Sequence, residues 1–124
     1  MPRRLRQLAL AALLAGLAGC GPTPPQAPLP QAKLLDRALS GISTACGEAD
    51  QVTAFPGDHR SALITLEVTA ASKAHGLASV FALNPDWIYQ GETVRQLVHD
   101  SLSMLDSCGL HAAATTLSRQ TARQ

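Results

Sequence analysis

From Gln31 onward, Leu35, Leu39, Ile42, Cys46, Ala49 and Val52 recur every three or four residues. That spacing lays one apolar stripe along an α-helix and would give a strand no consistent buried face. Phe55-Pro56-Gly57-Asp58 reads as a stop, a turn and an N-cap, after which Leu63, Leu66, Ala70, Ala74, Leu77 and Phe81 resume the spacing as far as Asn84-Pro85. A third stripe starts near Glu92 and carries Val94, Val98, Ser101 or Leu102, Leu105 and Cys108; Gly109 ends it, and Leu110, Ala113 and Leu117 outline a shorter closing helix. Helices joined by short turns pack antiparallel. The expected fold is therefore all-α, a small up-down-up three-helix bundle with a short fourth C-terminal helix.

Three local features compete with this reading. In Ala62–Ala70, Ile64, Leu66 and Val68 alternate with Thr65, Glu67 and Thr69, a period of two that suits a strand. No second alternating run offers that strand a partner, and the alanine-rich continuation through Ala82 carries the helical stripe on. Asn84-Pro85-Asp86 is itself a good helix start, with proline at the first helical position, although Gly91 would separate it from the main helix. Gly47 is a place where the first helix can bend.

The residues ahead of the first stripe carry a different pattern. Arg3, Arg4 and Arg6 precede an eleven-residue apolar run, Leu8 to Ala18, that closes on Ala18 and Gly19. A positive leader followed by such a run is the layout of a secretory signal. At about 1.5 Å per residue it covers roughly 17 Å, short of the ~30 Å hydrocarbon core, so it does not span as an ordinary transmembrane helix.

Leu17-Ala18-Gly19-Cys20 resembles the lipobox of bacterial lipoproteins. The resemblance covers residues 1–20 and implies a signal peptide over 1–19, a diacylglyceryl thioether on Cys20, and acylation of the new amino terminus, palmitate being one such chain. Two or three acyl chains hold a protein firmly where one holds it marginally, at ~0.8 kcal/mol per buried CH2. The resemblance places the mature chain on the cell membrane or the outer membrane, facing periplasm or exterior. Gly21 stands where aspartate retains such proteins at the inner membrane, so in a two-membrane envelope the outer one is implied. Residues 20–30, rich in proline, read as a tether of roughly 30 Å in polyproline geometry, and residues 31–124 as the helical domain.

With Cys20 carrying lipid, the other cysteines form an even pair, Cys46 and Cys108, which an oxidising compartment would join. Each lies about fifteen residues into its helix, the first and the third, and those helices run parallel, so the sulfurs fall at similar heights. Closing a loop of about sixty residues contributes roughly 4 kcal/mol in the chain-entropy model. Reduced thiols serving a metal or acting as a nucleophile are the alternative.

Losing Arg3, Arg4 and Arg6 with the leader takes the basic residues from ten to seven against nine acidic ones, a formal charge of −2. That balance argues against nucleic acid or an anionic lipid surface as the main partner. About ninety residues suffice for one small domain. With Phe55, Phe81, Trp87 and Tyr89 its only aromatics, the core must be aliphatic.

Chemistry-bearing residues are scattered. His59, His75, His99 and His111 form no i, i+4 pair of the kind a helical metal site uses. His75 and His99, with Glu67 or Asp100, are the one combination that neighbouring helices could bring together around zinc. Asp58-His59 and His99-Asp100 are sequence neighbours and point apart on a helix, Ser101 and Ser103 lack an evident base, and no Gly-x-Ser-x-Gly elbow or glycine-rich phosphate loop occurs. Asn84 to Thr93 holds the single tryptophan and the single tyrosine. Trp87 and Tyr89 either close the end of the bundle as a lid or anchor a partner, with Gln90 and Glu92 as the rim. The expectation is a non-catalytic envelope lipoprotein that binds another envelope protein as an assembly accessory, without a cofactor. In size and anchoring it is similar to the pilotin lipoproteins of secretion systems and to conjugation entry-exclusion lipoproteins; an envelope enzyme or metal-binding protein using His75 and His99 is the other class.

Overall fold

The computed structural model describes residues 24–122. The stretch read above as a signal peptide and lipobox, with Cys20, lies outside the described residues. Four helices and a short two-stranded ribbon follow in order: α1 (Leu29–Thr53), α2 (Arg60–Leu83), β1 (Ile88–Tyr89), β2 (Glu92–Thr93), α3 (Val94–Ser107) and α4 (His111–Ala122).

The helical stripes converge on a single aliphatic core. Leu35 and Ile42 from α1, Leu77 and Val80 from α2, Val94 and Leu105 from α3, and Leu117 from α4 are its large fully buried side chains, with Leu110 joining from the α3–α4 turn. Phe81 is buried among them, while Leu39, Leu63 and Leu102 are half-buried at the margin. On α3 it is Ser101 that turns fully inward. Eight alanines fill the space between the larger residues, including Ala38, Ala45, Ala70 and Ala74 along α1 and α2. Small side chains let these two helices approach closely, and two glycines serve the same contact. A methyl group on Gly41 would collide with the Lys73 stem, and one on Gly76 would press on Leu34 at 3.3 Å.

Cys46 and Cys108 are joined by a disulfide with a Cα–Cα distance of 5.4 Å, inside the usual range for a bridge. It ties the body of α1 to the C-cap of α3. The bridge links residues 62 apart in sequence, so removing it would release a long loop in the unfolded chain, at a stability cost of about 4 kcal/mol.

α2 runs unbroken through the alternating segment. Leu66 is buried, whereas Ile64 and Val68 are 63% and 67% exposed. A lone strand here would have left its backbone groups unpaired, and the helix satisfies them internally. The N-cap of α2 is His59 rather than Asp58; Asp58, one residue earlier, accepts from Arg60 N at 3.0 Å through its Oδ1. α1 is likewise continuous through Gly47, and nothing stands within 4 Å of where a side chain there would begin. The closing helix α4 is a full structural member, packed mainly on α2 and then on α3.

Two features depart from the sequence reading. First, Asn84-Pro85-Asp86 does not start a helix: Asn84 caps the end of α2, and its Oδ1 accepts from Asp86 N at 3.0 Å in a local turn. The chain then forms the β1–β2 hairpin, with Ile88 opposite Thr93 and Tyr89 opposite Glu92. Gln90 and Gly91 make the two-residue connection at φ of +50° and +83°, the left-handed pair that matches the twist of a tight hairpin. Thr93 then caps α3, accepting from Gln96 N at 3.1 Å. Second, α1 begins at Leu29, and the proline-rich stretch before it is seated on the body. Ile88 N donates to Pro25 O at 3.0 Å and Ala27 N to Ile88 O at 2.9 Å, so Gln26 pairs in parallel with the free edge of β1. An extended, proline-rich segment suits an edge, where the missing donors cost nothing.

Candidate functional site

The hairpin brings the sequence-marked aromatics to one corner of the bundle. Trp87 and Tyr89 are both half-buried and pack against the core. They close the end of the bundle as a lid, and Trp87 is further fixed by its carbonyl, which accepts from Val94 N at 2.9 Å. Gln90 is exposed at the tip of the turn, and Glu92 is half-buried on β2. Arg95, the second residue of α3, stacks its guanidinium 5.8 Å from the centre of the Phe81 ring and pairs with Asp86 at 3.3 Å.

Tyr89 reaches across to α1. Its hydroxyl donates to Asp36 Oδ1 at 3.4 Å. Burial raises the phenol above its ordinary range, and the nearby Asp36 charge and hydrogen bond raise it further. Beside this contact lies a shallow cleft of about 290 Å3, lined by Leu29, Ala32, Lys33, Asp36, Arg37 and Tyr89. Leu29, Lys33 and Arg37 sit at i, i+4 and i+8 and so share one face of α1. The sequence reading did not single out these three, because with the helix begun at Gln31 the first of them fell in the tether. A second cleft, of about 300 Å3, lies between α3 and α4 beside Leu102, Asp106 and Arg119. It includes none of the candidate site residues marked from the sequence.

The histidines each have their own local partner. His75 Nδ1 lies 3.4 Å from Gln120 Nε2, His111 Nδ1 lies 3.1 Å from Asp106 Oδ1, and His59 Nε2 contacts Phe55 O. His99 is exposed, with Asp100 Oδ1 at 3.8 Å. Among the described residues no three of His, Cys, Asp and Glu come together in a way that could hold a metal ion. Glu67, weighed as a ligand, has a different task. Its carboxylate accepts from Ala112 N at 3.3 Å and from Ala113 N at 2.7 Å, capping the first turn of α4. A negative group there satisfies free N–H groups and opposes the positive end of the helix dipole.

No protein-family model, no curated protein and no solved structure matches the chain.

Proposed function

We propose that this chain is a bacterial lipoprotein, anchored through acylated Cys20, whose helical body is a non-catalytic protein-binding or assembly accessory in the cell envelope. The observation that carries the reading is the Cys46–Cys108 bridge. A disulfide at this spacing belongs to an oxidising compartment, and its formation leaves Cys20 as the odd thiol, set in a lipobox behind a secretory leader. Among the described residues no helix is long and apolar enough to cross a membrane. The binding role rests on the tip of the hairpin, where Gln90 is exposed and Glu92 half-buried on a turn held in place from both sides.

Trp87 packs on the core, so truncating it would disturb the fold as well as the surface. Gln90 is the better probe because its side chain is exposed. A photo-crosslinking residue at position 90 in the native envelope is expected to form one discrete adduct with an envelope protein, and the same residue at Gly47, exposed on α1, none. Adducts absent from position 90, or equal at both positions, would contradict the assignment of this corner.

A further inference from the structure

We infer that the hairpin end of the bundle rests on the bilayer that holds the anchor, with Leu29, Lys33, Arg37 and Tyr89 seated among phospholipid headgroups. The inference depends on Cys20 being acylated, as proposed above. Because Pro25 and Ala27 are hydrogen-bonded to Ile88, the chain from Cys20 has only five residue steps before it is fixed to the body. Fully extended, five steps reach at most about 18 Å. By contrast α1 alone, at 25 residues, is about 37 Å long. The short leash therefore decides which end of the molecule faces the membrane.

The face so presented has the chemistry of an interface. Leu29 is 68% exposed, an expensive position for leucine in water and a favourable one at the acyl boundary. Lys33 and Arg37 are exposed on the next two turns of the same face, where long cationic side chains can reach phosphates while their stems lie on apolar surface. Tyr89 adds an amphipathic ring of the kind enriched at headgroup depth. Asp36 is the one acidic residue in the cleft, and it already accepts the Tyr89 hydroxyl. Within the cleft the balance is thus one positive charge, with Glu92 opposite Tyr89 on the hairpin and the Arg95–Asp86 pair beyond it.

Trp87 is the only tryptophan and lies beside Ile88, so it reports on this end. Full-length acylated protein would be reconstituted in phosphatidylethanolamine and phosphatidylglycerol vesicles containing a lipid with a nitroxide on its headgroup. Trp87 is expected to lose most of its emission. In a Trp87→Phe, Phe55→Trp variant the reporter moves to the exposed turn between α1 and α2, at the far end, and should keep its emission. Lys33→Glu combined with Arg37→Glu should restore Trp87 emission with the lipid still present by mass; both residues are exposed, so the core is untouched. Acylated protein with unquenched Trp87, equal quenching at both ends, or charge reversal without effect would overturn the inference alone. A Cys20 without lipid would overturn the anchor, and this inference with it.

Discussion

Tyr89 joins two parts of the chain that lie far apart in sequence, and its hydroxyl is the measurable part of that junction. Burial and the Asp36 charge both favour the neutral phenol in the folded protein. Its contribution to stability is therefore present below the ordinary tyrosine value of 10.0 and is lost as pH rises through the higher folded value. Since there is one tyrosine, an ultraviolet titration reads it directly. The midpoint is expected above 10.0, and Asp36→Asn should lower it while leaving the part due to burial. A midpoint at or below 10.0 would remove the Tyr89–Asp36 contact from the account. At the same scale, Gln90 holds φ of +50°, a conformation that asparagine or glycine adopts more readily.

Between elements, the main organiser invisible in the sequence is Glu67. It sits on α2 and caps α4, so the contact spans 45 and 46 residues and has no local signature. Replacing it with alanine leaves two amide groups without their acceptor and should cost about 1–2 kcal/mol in urea denaturation. An unchanged midpoint would show that α4 is held by its apolar face alone. The helices themselves were legible because each carries a stripe long enough to repeat. Leu35, Ile42, Leu77, Leu105 and Leu117 all fall on the buried face that their spacing assigns. The hairpin was not legible: its strands are two residues each, too short for alternation to show, and only Gln90-Gly91 between Tyr89 and Glu92 hints at a turn. The proline-rich segment misled in a similar way. Its composition gives an extended backbone but cannot say whether that backbone meets a free strand edge, and Ile88 supplies one.

For the whole molecule, the pieces form one mechanical design. Three helical stripes and a closing helix make a body too small to be secure on aliphatic packing alone, and the bridge between α1 and α3 compensates by constraining the unfolded chain. The hairpin then serves three purposes at once: it lids the core with Trp87, docks the incoming chain on Ile88, and presents the Tyr89 face outward. If the proposed anchor and contact surface hold, anchoring and binding are coupled, because the strand edge that shortens the leash belongs to the same ribbon as Gln90. The central claim is that the three cysteines have two fates, and the intact mass of the protein purified from its own envelope tests this most directly. The account predicts a chain beginning at Cys20, heavier by a diacylglyceryl group and further acylation, and gaining two hydrogens on reduction. A polypeptide that retains Met1 to Gly19 and carries no lipid, or a lipidated one whose mass is unmoved by reductant, would contradict it.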